Sequence, residues 1–121
     1  MTAFLAAIIL VESGGDPNAV GDGGKSLGLM QISRAYYTDA VVQLRHEGLG
    51  LTMPGYEVAV KNHFWCETLF RAYMRRYCPR AYFTNDYETM ARVHNGGPRG
   101  AKRQATVAYW QKVKAAMEGG E

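Results

Sequence analysis

Apolar and polar positions alternate along this chain in patterns that change at glycine and proline clusters. Residues 2–13 are apolar almost all round, which predicts a helix buried on most sides. Phe4, Ile8 and Glu12 fall four apart on one stripe, so an acidic residue closes an apolar face. Gly14 and Gly15 then stop the helix. Residues 16–33 lose the helical period and gain turn formers: Asp16-Pro17, Gly21-Asp22-Gly23-Gly24 and Gly28. Short apolar pieces between those turns predict a loop and a small hairpin near residues 20–32. The period returns over 34–46, through Ala35, Tyr36, Ala40, Val41 and Leu44, and breaks again at Gly48 to Gly55. Trp65, Leu69, Tyr73 and Tyr77 recur every four residues, predicting one long helix over 56–78 that Pro79 ends. A short helix is predicted over 86–95, with Asn85 as N-cap and Glu88 completing a capping pair. Gly96-Gly97-Pro98 closes it, and a last helix over 99–118 turns Thr106, Tyr109 or Trp110, Val113 and Met117 inward. The sum is a mostly α domain with one small β element, and 121 residues fit one domain spanning 1–121.

Composition narrows this picture only slightly. A hydrophobic fraction of 47% and a charged fraction of 21% are ordinary for a globular chain. The net charge of +3 favours anionic partners, but no long basic run points to nucleic acid. Arg75-Arg76 and Arg99 to Arg103 read as solvated helix faces. No segment is apolar and long enough to predict membrane insertion, and a monomer is expected. Phe4 to Val11 has the apolarity of a signal-peptide core but no basic residues before it, and Glu12 follows it. The expectation is therefore no signal peptide and synthesis in the cytoplasm. Cys66 and Cys78 are twelve positions apart on one predicted helix, about 18 Å along its axis. That exceeds the roughly 7 Å a disulfide can bridge, so two free thiols in a reducing compartment are predicted.

Chemistry concentrates at Glu12. A carboxyl at the end of a buried helix is unusual, and desolvation there favours the protonated form. A carboxylic acid still protonated near neutral pH can donate to a leaving oxygen. The competing reading is a solvated residue, but an acid at a helix C-terminus opposes the dipole and stabilises little. Asp22 lies ten residues on, in a turn where Asp commonly serves turn geometry. A hairpin folding back past Glu12 would make the two a carboxyl pair of the kind glycosidases use. Asp16 and Asp39 are weaker rivals, one too near the helix end and one expected on a helix surface. His94 shares a helical stripe with Tyr87 and Ala91, so it reads equally as a core histidine or a cleft residue. His46, His63 and His94 show no metal-ligand spacing, and no cofactor is expected.

Two groups of motifs resemble known families. Glu12-Ser13-Gly14-Gly15 with Ser26-Leu27-Gly28-Leu29-Met30-Gln31-Ile32 resembles the ES…GLMQI pattern of the lysozyme and soluble lytic transglycosylase superfamily. Tyr73 to Tyr77, Ala91 to Gly100, Ala105-Thr106 and Tyr109-Trp110 resemble the invertebrate-type, destabilase-like lysozymes. The resemblance runs from about residue 6 to 114. It implies a lysozyme-like α+β fold and cleavage of the β-1,4 bond between N-acetylmuramic acid and N-acetylglucosamine in peptidoglycan. It implies Glu12 as general acid and Asp22 as second carboxylate. Ser26, Gln31, Tyr36, His94, Asn95 and Gly96 would line the sugar subsites. Animal members are secreted and cysteine-rich. This chain lacks most of those cysteines and has Tyr36-Tyr37 where many members carry Tyr-Trp, which suggests a bacterial or phage relative acting as an endolysin or virion-associated lysin. The alternatives are a lytic transglycosylase, which needs one acid and leaves 1,6-anhydro products, and a catalytically silent wall-binding module.

Overall fold

A computed structural model describes residues 1–49 and 52–119. Helix α1 is Thr2–Ser13, ended by Gly14 in the left-handed conformation with its N–H on the Leu10 carbonyl. A two-stranded antiparallel hairpin follows, β1 Val20–Gly21 against β2 Ser26–Leu27, joined by a 3₁₀ turn over Asp22–Gly24. Leu27 also bridges to Ile32, which extends the predicted β element through residue 32. Then come α2 Arg34–His46, α3 Tyr56–Ala59, α4 His63–Tyr77, α5 Pro79–Phe83, α6 Tyr87–Gly96 and α7 Ala105–Gly119. Positions 50 and 51 of the predicted glycine-rich break lie outside the described residues.

Most predicted helices are present; α5 is an addition to them, its Pro79 starting a short helix as well as ending one, and four other differences stand out. The single helix over 56–78 is two. Asn62 caps a fresh start, its side chain accepting from the Trp65 N–H at 3.0 Å, so a local polar cap wins over the continuous apolar period. The N-cap of α6 is Asp86, which accepts from both the N–H and hydroxyl of Thr89. Asn85 instead sits at φ 56°, and Glu88 pairs with Arg92 one turn on. Residues 100–102 form a separate 3₁₀ turn before α7. Finally, α1 is buried on one side only. Phe4, Leu5, Ala7, Ile8 and Ile9 are in the core, whereas Thr2, Ala3, Ala6 and Leu10 form an exposed strip.

The core is built where α2 crosses α4 and where α1 and α6 lie against α7. Phe4 packs edge-on to Phe70 and stacks on Tyr87, linking α1 to α4 and α6. Both thiols are free, and Cys66 is fully buried, its sulfur on the Val60 carbonyl. Burial pushes the Cys66 thiol up to about 12, so it is an inert core group.

Arg75 departs from the expected solvated face. It holds Glu47, at the end of α2, through two parallel bonds of 2.8 and 2.9 Å, with its guanidinium over the Tyr82 ring. The Arg75 hydrogen bond keeps the Glu47 carboxyl below the ordinary range. A depressed carboxyl contributes stability above the unfolded value, about pH 4.3, and loses it as pH falls through the folded value. Glu47→Gln is expected to cost about 1 kcal/mol at neutral pH. The gap in melting temperature from the parent should narrow as pH falls below about 4, the ordinary carboxylate range. Thermal melts on either side of that range check this, and an undiminished gap at low pH would exclude the ion pair as its source.

Candidate active site

The site forms where the end of α1 meets α6, α7 and the hairpin. Glu12 is the penultimate residue of α1, and its side chain keeps 17% of its exposure. Its Oε2 accepts from the Tyr109 hydroxyl of α7 at 2.9 Å and lies 3.2 Å from His94 Nε2 of α6. Among the described residues Oε1 has no protein hydrogen bond. Ser13, the next residue, donates to the Leu29 carbonyl at 2.8 Å and so ties the end of α1 to the loop after β2.

His94 is nearly closed off, its side chain 2% exposed. Nε2 is 3.0 Å from the Met30 carbonyl, which can only accept, so Nε2 carries a proton. Nδ1 is 2.8 Å from the Tyr36 hydroxyl, which donates to it when the ring is neutral. Tyr36 in turn stacks on Tyr73 with centroids 3.7 Å apart. Burial pushes the Tyr36 and Tyr109 hydroxyls well above the usual phenol value, and the nearby Glu12 charge pushes each further. Burial brings Tyr73 to about 12. These phenols therefore keep their protons throughout the neutral range. His94 is both alternatives at once, a satisfied buried histidine and part of the wall of a cleft.

That cleft has a volume of about 290 Å³. Ser26, Gln31, Ser33, Tyr36, Asp39, Asn95 and Gly97 are among its lining residues. Ser26 donates to Asp22 Oδ2 at 2.7 Å, so Asp22 is tied to the cleft wall. Asp22 is exposed and adopts φ 51°, a conformation uncommon for a residue with a side chain. Ser26, Tyr36 and His94 line the cleft directly, whereas Glu12 and Asp22 are not among its lining residues: Glu12 stands behind His94, 3.2 Å from Nε2, and Asp22 behind Ser26.

Two predicted lining residues have other work. Gln31 lines the cleft but donates both amide hydrogens inward, to the Ala19 and Gly28 carbonyls at 3.1 Å each. It braces the loop, and its Oε1 occupies the space a side chain at Gly21 would need. Gly96 does not line the cleft. A Cβ there would stand 2.6 Å from Thr106 Cγ2, so this glycine lets α6 approach α7, and Gly97 is the glycine at the cleft.

Among the rivals, Asp16 accepts from the Asn18 N–H, a turn role. Asp39 is not a plain surface residue: it lines the cleft and accepts from Tyr77 at 2.7 Å. Tyr109 and Ser13 were not singled out as site residues. Tyr109 had a signal, since it shares the inward stripe of Thr106 and Val113 on α7. Among the described residues no group of three or more His, Cys, Asp or Glu side chains is arranged to hold a metal ion.

A helical body with a short hairpin beside the end of its first helix is the lysozyme-like α+β arrangement. The chain belongs to the destabilase family, whose pattern it matches over residues 2–116. It is similar to lysozyme 1 of Crassostrea virginica, with 36% identity over 90 residues, 74% of this chain and 44% of the relative. Invertebrate-type lysozyme 3 of Caenorhabditis elegans is 31% identical over 115 residues, 92% of this chain and 82% of that one. The chain spans about half the length of the first bivalve relatives it matches, from 44 to 61%. Among solved structures, Tapes japonica lysozyme aligns with a TM-score of 0.77 at 26% identity, covering 94% of this chain and 88% of that one. Meretrix lusoria lysozyme, in complex with Aeromonas hydrophila PliI, aligns at 0.74 and 29% identity with the same coverage.

These matches correct one expectation. The named relatives are lysozymes of bivalves and a nematode, a typically secreted class. They overturn the assignment of a cytoplasmic product without signal peptide, delivered as a phage or virion lysin. The core closes without a disulfide: both cysteines are free, and Cys66 is buried with its sulfur on the Val60 carbonyl.

Proposed function

We propose that residues 1–121 form a single catalytic domain that hydrolyses the β-1,4 bond between N-acetylmuramic acid and N-acetylglucosamine in peptidoglycan, and so lyses bacterial walls. The observation that carries this reading is Glu12, a partly buried carboxyl with one oxygen held by Tyr109 and close to His94, a wall residue of the cleft whose Ser26 holds a second carboxylate.

Glu12 gives its proton to the glycosidic oxygen as the bond breaks. Asp22 meets the positive charge developing at the anomeric carbon, by attack or by electrostatic stabilisation. The Ser26 hydroxyl fixes the Asp22 oxygen it donates to. Ionised Glu12 then removes a proton from the incoming water. Ser33, Tyr36, Asn95 and Gly97 form the floor and sides of the sugar site, and Gln31 offers only its Oε1. The net charge of +3 draws the domain to an anionic wall, and it acts as a monomer.

The test is a wall suspension treated with the protein, followed by turbidity and by new reducing ends. Both should change together, and a suspension left intact would end the proposal. Asp22→Asn keeps an oxygen for the Ser26 bond but loses the charge. It is expected to lower the rate about a hundredfold without a change in fold. A variant within a few-fold of the parent would remove Asp22 from the mechanism.

A further inference from the structure

The one hydrogen bond to the Glu12 carboxyl among the described residues comes from the Tyr109 hydroxyl. It falls on Oε2, the oxygen that also lies 3.2 Å from His94 Nε2, and Oε1 is left without a protein partner among the described residues. The imidazole cannot reverse its role. Its Nε2 proton is fixed by the Met30 carbonyl at 3.0 Å, and Tyr36 satisfies Nδ1 from the other side. Burial keeps the Tyr109 hydroxyl protonated, so it too remains a donor. An oxygen already accepting from a phenol and facing an imidazole N–H is the poorer place for the transferable proton.

We propose that Tyr109 is a positioning residue that reserves Glu12 Oε2 as a hydrogen-bond acceptor and so places the transferable proton on Oε1. The inference rests on Glu12 being the acid. The phenol touches the acid and not the bond being cut. The groups facing Glu12 are Tyr109 from α7 and His94 from α6, with Tyr36 from α2 behind the imidazole and Tyr73 from α4 stacked on it. Among the described residues Glu12 has no Lys or Arg ion-pair partner. The phenol is therefore its strongest neutral donor, and changing it changes the balance between the two protonation states.

Tyr109→Phe removes the hydroxyl and nothing else. The expected result is a kcat about tenfold lower with KM unchanged. The alkaline limb of the pH–rate profile should move up by about one unit, because a donor to the ionised carboxylate is gone. Replacing Tyr109 by difluorotyrosine keeps the ring and strengthens the donor, and the same limb should then move down. Opposite displacements by two near-isosteric changes are not what a purely structural residue produces. If Tyr109→Phe fails to fold, the fluorinated protein alone decides the matter by the direction of its limb. Profiles that coincide with the parent, or a change confined to KM, would overturn the proposal. Glu12→Gln is measured beside them: if it stays active the reading of Glu12 as acid fails, whereas an inactive Glu12→Gln with unmoved Tyr109 variants rejects the positioning role alone.

Discussion

Glu12→Gln is expected to lower wall-cleaving activity about a thousandfold while leaving the melting temperature within a degree or two of the parent. The amide is nearly the size of the carboxyl. Its oxygen can take the Oε2 position and accept from Tyr109 as the acid does. The amide nitrogen then occupies the other position, where its N–H groups can donate a hydrogen bond but are far too weakly acidic to transfer a proton to a leaving oxygen. Binding of glycan should persist, because the lining from Ser26, Ser33, Tyr36 and Asn95 is unchanged. Activity assays with a melt on the same sample separate chemistry from folding. More than a tenth of parental activity would mean that Glu12 is not the acid.

The largest stability effect is expected at Gly28. This residue has φ 82°, and a Cβ there would stand 2.0 Å from the Val60 carbonyl oxygen. That oxygen accepts from the neighbouring Leu29 N–H at 3.0 Å, so it cannot move away without breaking the bond that seats the hairpin beside α3. Gly28→Ala therefore combines a left-handed backbone that favours glycine with a clash against backbone. The expected cost is about 4 kcal/mol, roughly 15 °C in melting temperature. The activity of the fraction still folded should fall as well, because Ser26 and Asp22 ride on the same hairpin. Differential scanning calorimetry checks the first part. A loss below 1 kcal/mol would show that the loop relaxes freely.

Helix α2 could be read from the sequence to the residue, because its period is interrupted at both ends by polar or glycine-rich segments. The junction between α3 and α4 could not. Tyr56, Ala59 and Val60 are buried like the residues of α4, so the apolar pattern runs across a break that only the Asn62 side chain enforces. Glu12 was legible for a physical reason: an acid closing an apolar stripe before two glycines has little structural use. Its partners were not. Tyr109 is 97 residues away, and helical spacing left Tyr109 and Trp110 equally placed until α7 was packed on α1. The motif places both Gly96 and Gln31 at the cleft, whereas Gly96 sits between α6 and α7 and Gln31, though it lines the cleft, turns its amide hydrogens inward. A motif identifies which residues recur near a site, but not which ones face the ligand and which hold the backbone that does.

Mass spectrometry of the fragments released from purified peptidoglycan tests hydrolysis by this cleft most directly. Water-mediated cleavage with Glu12 as acid predicts fragments ending in a free, borohydride-reducible N-acetylmuramic acid, absent when Glu12→Gln replaces the parent. Fragments lighter by one water and resistant to borohydride, the mark of a 1,6-anhydro end, would contradict it, as would the absence of any soluble glycan.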